Sequence, residues 1–333
     1  MSRAATIKDI AERVGVGNST VSAVLGRSPS RHVRVSEATR ARVLEAAHLM
    51  HYRPNGVARA LRSQKTDVLG VYTTPGYLNP DVVFSSQIIG GLHRGCYEND
   101  KDLLLHGIHQ NRPAGEIYAE LADGRIDGLV LYAFPGDPVL ERLVDSSFPV
   151  VALVDAVAGL PSVVADDAGG SRLLAERLAR SGHRHVLYVA GDPLLVSATR
   201  RLRGFQAAAG DLGIAVTEMH PSTHHEWLAD ADLGWLDRPR SERPTAAVCW
   251  NDLTAYHLLE ECRERGLRVP EDLAVAGFDG LPSHSVNRQL TTIRAPWVGV
   301  ARAAIPLLLR RIEGLEVPAE TVLPVELIAG DTA

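Results

Sequence analysis

The sequence predicts a small all-α helix-turn-helix head joined to a larger α/β body built on parallel sheets. Three observations carry this. The chain has 333 residues, too many for one ordinary core. Its charge is divided: residues 1–65 hold twelve Lys and Arg against four Asp and Glu, a charge of +8, which leaves −13 for the remainder within a net charge of −5. The texture also changes after Lys65, from helical spacing to short apolar runs separated by helical stretches. The expected organisation is a head over residues 1–53, a hinge and linker over 54–65, and a body over 66–333.

Composition narrows the class. The chain is 45% apolar and 23% charged, ordinary for a globular protein. No run of about 20 apolar residues occurs, so no membrane span is expected. Residues 1–20 have no apolar signal-peptide core, which places the chain in the cytoplasm. Cys96, Cys249 and Cys262 are far apart and odd in number, so they read as reduced, buried thiols. A basic head on an acidic body implies that the head, and not the body, meets a polyanion.

In the head, Ile7, Ile10, Ala11 and Val14 recur at spacings of three and four, one buried helix face with Thr6 as its cap. Gly15 ends that helix in a left-handed turn. Gly17 and Asn18 open a second helix, in which Val21, Val24 and Leu25 share one side and Ser19, Ser22, Ala23 and Gly26 the other. Two short helices joined by a glycine-containing turn form a helix-turn-helix. The outward side of the second helix is small and uncharged, although arginines surround it. Small residues let a backbone come close inside a DNA major groove about 12 Å wide. Nearby arginines supply the sequence-independent attraction to phosphates. Asn18 and Ser19 are the base-reading candidates, and Thr20 and Ser22 suit phosphates. A helical hairpin that packs on another protein has the same pattern. A third helix follows, with Ser36 as cap and Val43, Leu44, Ala47 and Met50 as its apolar stripe, stopped by Pro54. In the loop before it, Arg27, Arg31 and Arg34 are candidates to reach phosphates; a simply solvated loop is the alternative.

The stretch "RPNGVARALRSQK" predicts a helix of about two turns, capped by Asn55 and ending near Ser63. Such a helix is marginal alone, and Gly56 costs it roughly 1 kcal/mol. Its large apolar side chain is Leu61, with Val57 one turn earlier.

The body contains "VLGVYTT", "DLLLHGI", "GLVLYA", "PVVALVD", "HVLYVAG", "TAAVCW" and "LAVAGFD", each bounded by turn residues. Helical stretches near 87–99, 170–181 and 254–265 separate them. Strands alternating with helices predict parallel sheets covered on both faces. Ligands in such folds sit beyond the carboxyl ends of the strands. The residues there are Tyr72, Thr73, Asp155, Asn251, Asp252 and Asp279.

On these motifs the chain resembles the LacI/GalR family of bacterial transcription regulators. The head carries the resemblance in "DIA", the "GV" turn, "TVSAVL", "VSEATRARVLEA" and "YRPNGVARALR". The body carries it in "RLLAERLARSGHRHVLYVAG", "ATRRLRGFQAA", "AVCWNDLTAYHLLEECRERGLRVPEDLAVAGFDG" and "LTTIRAPW". The resemblance implies a homodimer whose heads read a pseudo-palindromic, double-stranded operator. Residues 55–62 become a hinge helix, with Leu61 wedging into the minor groove. The implied DNA-contacting set is Thr6, Gly17, Asn18, Ser19, Thr20, Ser22, Ala23, Arg31, Arg34, Asn55, Ala58 and Leu61.

For the body, the resemblance implies a periplasmic-binding-protein-like pair of subdomains, crossed by several chain segments, with a small effector between them. Arg201 is then expected to clamp an effector oxygen, and Asn251 and Asp279 to bond its hydroxyls, chemistry suited to a sugar or related polar metabolite. Tyr72, Phe84, Trp227 and Trp250 are wall candidates, and Asn79 and Asp155 complete the effector set. Read without the family, Asn251 and Asp252 fit a helix cap, Asp279 a turn, and Arg201 a surface ion pair. Departures from the family pattern are Gly17 where a serine cap is usual, Ala23 where a large polar residue is frequent, a longer loop before "VRVSE", Asp81-Val82 after Asn79-Pro80, and Gly280 after the "GFD" aspartate.

Enzyme motifs are missing. "GVGNST" has neither the following Lys-Ser/Thr pair nor a preceding strand of a phosphate loop. No G-x-S-x-G elbow occurs. His183, His185, His224 and His225 lack zinc spacing, and the adjacent Asp166 and Asp167 point apart as an acid/base pair. No cofactor or metal is expected. No leucine heptad follows the body, which favours a dimer over a tetramer. The expectation is an effector-controlled transcription regulator, a repressor. The alternative is a cytoplasmic solute-binding or sensor protein whose basic head holds DNA only non-specifically.

Overall fold

The computed structural model describes residues 5–25, 34–54, 60–61, 63–74, 78–79, 83–107, 112–222, 228–282 and 288–333. The chain forms two compact units, Met1–Thr66 and Asp67–Ala333.

The described residues of the first unit include α1 (Ile7–Val14), α2 (Asn18–Leu25) and α3 (Glu37–Leu49). Thr6 starts α1 through a capping box. Its hydroxyl accepts the Asp9 N–H at 3.3 Å, and the Asp9 carboxylate accepts the Thr6 N–H at 2.8 Å. Gly15, at φ 70°, ends α1 and returns its N–H to the Ala11 carbonyl. Gly17 offers no side chain to cap α2; its carbonyl accepts from the Thr20 and Val21 amides. Ser36 caps α3 by accepting from the Thr39 N–H. The core is made of small and medium residues: Ile10, Ala11, Val14, Val21, Val24, Val43, Ala46 and Ala47. One position of the predicted α3 stripe is corrected. Leu44 is 48% exposed, and Ala46 is buried in its stead. The face that α3 turns to the other two helices is centred on Val43, Ala46 and Ala47. Beyond α3, Ala60, Leu61 and Ser63 are helical.

The second unit contains two six-stranded sheets. The first comprises β1 (Val68–Thr73), β2 (Asp102–Leu105), β3 (Gly128–Tyr132), β4 (Val150–Val154), β5 (Ser162–Ala165) and β11 (Glu320–Leu323). Its order is β11-β5-β4-β3-β1-β2, parallel throughout. The second comprises β6 (His185–Val189), β7 (Ala215–Met219), β8 (Ala246–Cys249), β9 (Ala274–Asp279), β10 (Thr291–Arg294) and β12 (Glu326–Ile328), in the order β12-β10-β9-β8-β6-β7. Here only the β10–β12 pairing is antiparallel. The chain therefore passes between the sheets three times: after β5, after β10 and after β11. All seven apolar runs singled out in the sequence are strands. The strands that escaped are short or at sheet edges, such as β5, β7 and β10 to β12.

Helices cover the sheets: α4 (Val83–Glu98), α5 (Ala114–Leu121), α6 (Val139–Val144), α7 (Asp167–Arg180), α8 (Val196–Asp211), α9 (Asp230–Leu233), α10 (Asp252–Glu264) and α11 (Trp297–Ile312). Helix α4 packs closely against α11. A Cβ at Gly91 would lie 2.5 Å from the Val298 carbonyl oxygen, and one at Gly95 would lie 2.7 Å from Ile305. Gly91 and Gly95 of "IIGGLHRGC" thus let two helices approach closely on the first sheet. Cys96, Cys249 and Cys262 are all buried free thiols. Burial pushes Cys96 and Cys262 up to about 11, so neither is reactive at neutral pH. Among the described residues, no helix is long and apolar enough to cross a membrane.

Candidate functional site

In the head, α2 presents its amino end outward. Gly17, Asn18 and Ser19 are exposed, and Thr20, Ser22 and Ala23 are half-buried along the same helix. With Val21 and Val24 turned into the core, only small and polar groups remain on the outside. Arg34 is exposed. Thr6 is committed internally: besides accepting from Asp9 N–H, its hydroxyl donates to the Asp9 carboxylate at 2.7 Å. Leu61 is 80% exposed, an apolar side chain with nothing in the head covering it. Arg31, Asn55 and Ala58 lie outside the described residues.

In the body, the carboxyl ends of β8 and β9 converge with the first turns of α7, α8 and α10. Arg201, in the second turn of α8, is the centre of this group. It is only 3% exposed. Its Nε donates to Asp167 Oδ1 at 2.8 Å, and its Nη1 donates to the Trp250 carbonyl at 2.8 Å and to Asp279 Oδ1 at 3.1 Å. The guanidinium lies over the Phe278 ring, 3.8 Å from its centroid, and 5.9 Å from that of Trp250. Burial alone lowers the affinity of Arg201 for its proton. Asp279 and Asp167 more than offset that and hold it above its ordinary value. A surface ion pair for Arg201 is therefore ruled out.

The aspartates have distinct surroundings. Asp279 sits at φ 125°, a backbone conformation that a side-chain-bearing residue adopts only when its neighbours impose it. Gly280 follows at φ 72°, and a Cβ there would lie 2.6 Å from the Arg294 Cα. The second acid frequent in the family at that position has no room in this chain. Asp252, at the start of α10, is fully buried and accepts from the Thr292 hydroxyl at 2.5 Å and the Leu281 N–H at 2.7 Å. Burial pushes Asp167, Asp252 and Asp279 upward, and Arg201 pulls each of them back without prevailing. Asn251 caps α10, its side-chain oxygen accepting from the Thr254 N–H at 2.9 Å.

Asp155 joins the two sheets. It follows β4 of the first sheet, next to Val154 at φ 73°, strained for a β-branched residue. Its carboxylate accepts from the Val196 and Ser197 N–H groups at 3.0 and 2.7 Å, at the start of α8 on the second sheet's side. Beside it, Arg200 of α8 makes a two-bond ion pair with Glu320 of β11, at 3.0 and 2.7 Å. Helix α8 thus carries Arg201 and is also tied to the first sheet.

The remaining candidates divide. Phe84 opens α4 and packs edge-on against Trp297, ring centroids 5.0 Å apart, with Tyr132 at 5.9 Å. These rings mark the carboxyl edge of the first sheet. Trp250 is half-buried and rests where a side chain on Gly191 would otherwise be. Asn79 is exposed and its N–H donates to the Ser85 hydroxyl. Tyr72 is not brought to this group. It packs with Leu121, Leu129 and Leu143 on the other side of the first sheet, and its hydroxyl donates to Asp137 at 2.9 Å. Burial, and then Asp137, push that phenol far above its ordinary value. Trp227 lies outside the described residues. The sequence reading missed Asp167 as a partner of Arg201, because it weighed Asp166 and Asp167 only as a pair. Asp166 caps α7 through the Gly169 N–H, while Asp167, one residue on, turns into the cluster. Phe278, Thr292 and Trp297 were also unforeseen.

Comparison with known proteins agrees with both units. Residues 6–55 match the family model described as bacterial regulatory proteins, lacI family, and residues 175–333 match a periplasmic binding protein-like domain. The chain is 30% identical to the HTH-type transcriptional repressor PurR of Aliivibrio fischeri (strain MJ11) over 326 residues, covering 93% of this chain and 92% of the relative. It is also 30% identical to the protein of the same name from Edwardsiella ictaluri over 334 residues, covering 96% and 93%. Its fold is similar to that of a lac repressor dimer bound to operator and the anti-inducer ONPF, with a TM-score of 0.82, 24% identity and 99% of each chain covered. It is similar as well to a transcriptional regulator CelR–cellobiose complex, with a TM-score of 0.67, 25% identity and 99% and 100% covered. A small helical head with an uncharged outward helix, followed by two parallel-sheet subdomains that meet at a buried polar cluster, is the architecture of DNA-binding transcriptional regulators rather than enzymes, and the chain belongs to the lacI family of bacterial regulatory proteins.

Proposed function

We propose that this protein is a sequence-specific repressor that binds a pseudo-palindromic operator as a homodimer and is controlled by a small, uncharged, hydroxylated effector such as a sugar. Residues 1–53 read DNA, residues 54–65 form the hinge, and residues 66–333 hold the effector and the dimer contact. The observation that carries the effector half is the Arg201–Asp279 pair at the carboxyl ends of β8 and β9, within reach of the Asp155 tie to the other sheet. A guanidinium and a carboxylate side by side offer a donor and an acceptor to adjacent hydroxyls. Three buried carboxylates against one guanidinium disfavour an anionic effector. The cellobiose complex of a similar regulator supports the sugar class, and the repressor names of the relatives support repression.

In the head, Asn18 and Ser19 read bases, Thr20, Ser22 and Arg34 hold phosphates, and Leu61 enters the minor groove between the half-sites. Effector binding changes the angle between the two sheets and so the geometry of the hinges. By linkage, an effector that weakens operator binding binds the DNA-bound form more weakly by the same factor. The test is selection of bound fragments from sheared DNA of the source genome at moderate salt. A recovered pseudo-palindrome supports the reading, and recovery of unrelated fragments, with and without a panel of free sugars, counts for a non-specific head instead. A companion variant, Asp279→Ala, is expected to keep operator affinity and lose the response to the sugar identified by that panel. A retained response moves the effector elsewhere.

A further inference from the structure

We propose that the cluster around Arg201 stores a proton at neutral pH, that Asp252 is the residue carrying it, and that the frame of the cleft therefore weakens as pH rises through neutrality.

The argument begins with charge. Asp167 and Asp252 are buried with one guanidinium, Arg201, and Asp279 lies against it with its side chain 12% exposed. If all were ionised, the cluster would carry two negative charges more than it compensates. Among the described residues, the further cations do not make up the difference. Arg200 also draws on Asp167 and Asp155 but is paired with Glu320, and Arg294 is turned out to Glu326 at 2.7 Å. The other described ionisable groups facing the cluster do not supply positive charge. Asp155 adds a carboxylate, while Tyr188 and Cys249 are buried, and burial pushes both well above their ordinary values, so they stay neutral. Uncompensated buried charge is costly enough that a carboxylate in such a place takes a proton instead.

The geometry selects the residue. Asp167 and Asp279 each accept directly from Arg201. Asp252 has no such bond. Its partners are the Thr292 hydroxyl and the Leu281 N–H, and one of its oxygens fills the place of the absent Gly277 side chain on β9, two residues before Asp279. The two acids are thus near neighbours in a buried site. Thr292 also makes a protonated Asp252 possible. The Thr292 hydroxyl has a second acceptor, the Ile293 carbonyl at 3.5 Å. It can send its own hydrogen there while accepting one from the Asp252 acid at 2.5 Å. Burial raises Asp252 and Asp279 well above the ordinary aspartate value of 3.8. The two then titrate as one unit.

The sign follows from linkage. An acid whose pKa is higher in the folded than in the unfolded chain binds more protons when folded, so stability falls as pH rises from the ordinary carboxylate range through neutrality. Deprotonation places the charge where α10 begins, where β10 is bonded through Thr292, and where the loop after β9 is pinned through Leu281. Those segments carry Asn251 and Asp279, so the consequence for the effector rests on the reading above.

The experiment uses the full chain without operator or effector, so it succeeds or fails independently of the repressor reading. Infrared difference spectra across a pH titration are expected to show the carbonyl band of one protonated carboxylic acid per chain at neutral pH, lost as the pH rises through and beyond neutrality. Asp252→Asn resembles the protonated acid, with an amide to donate to Thr292 and a carbonyl to accept from Leu281. It is expected to remove the band, to be at least as stable as the parent at neutral pH, and to flatten the loss of stability between the ordinary carboxylate range and neutrality. Absence of the acid band at neutral pH overturns the proposal, as does a band unchanged in Asp252→Asn. Should that variant not fold, Thr292→Val gives the second reading: a band shifted in frequency supports Asp252 as the carrier, and an unmoved band overturns it.

Discussion

The head and the body keep their functional groups in opposite places. In the head, every buried residue among those described is apolar, and the candidate DNA contacts Asn18, Ser19, Thr20 and Ser22 lie on the helix that supplies Val21 and Val24 to that core. In the body, the candidate effector contacts Asp155, Arg201 and Asn251 are deeply buried, and four ionisable side chains from α7, α8, β9 and α10 stand in place of apolar packing. A surface site is free of the fold that carries it, so its residues can change with little cost in stability. A buried charged site is itself part of the fold, and its chemistry and stability cannot be varied separately.

The largest effect expected from this contrast is at Arg201. Arg201→Ala leaves Asp167 and Asp279 buried without their cation, and breaking a buried pair in this way costs about 3–5 kcal/mol. Urea unfolding of the body should show it; a loss below about 1 kcal/mol would mean that the cluster is wet. Next comes Ile10→Ala, which empties a fully buried position of the head. A loss of about 2–5 kcal/mol is expected, and calorimetry should show the body transition unmoved, because the two units are separately compact. A body transition that moves with it would break the comparison.

A surface site makes the opposite prediction. Leu61→Ala is expected to leave both unfolding transitions unchanged and to weaken operator binding by about tenfold, close to 1.4 kcal/mol. Unaltered operator affinity in a filter or anisotropy assay removes Leu61 from the interface. The smallest effect concerns Thr6. Thr6→Ala removes the capping box of α1, and a loss of about 1 kcal/mol of head stability is expected. Operator affinity at saturating folded protein should hold. A specific loss of binding without loss of stability would support Thr6 as a member of the DNA-contacting set.

Legibility in the sequence followed the same divide. The helix-turn-helix could be read from the spacing of Ile10, Val14, Val21 and Val24, because neighbours on a helix face are three or four residues apart. The seven strands of "VLGVYTT" and its counterparts could be read because strands buried on both faces are continuously apolar. Leu44 was misplaced because the stripe of a helix constrains its face only to within about one residue in a turn, and packing against α1 and α2 decides the rest. Tyr72 was misplaced for a related reason. Its position at a strand end was evident, but strand alternation puts it with Val68 on the side away from Val71 and the α4 layer.

The sequence by itself determined the two-part organisation, the family, and the identity of Arg201, Asn251 and Asp279 as residues of interest, since charge division, periodicity and motif spacing are local properties. Only the tertiary structure decided what those residues do to one another. Asp167 and Arg201 are 34 positions apart, and Arg201 and Asp279 are 78 apart. Neither separation carries a periodic signal. The three chain passages between the sheets bring these side chains into one buried volume, where a single guanidinium faces three carboxylates. There, the cost of burying charge, which no local pattern records, sets both their partners and their protons.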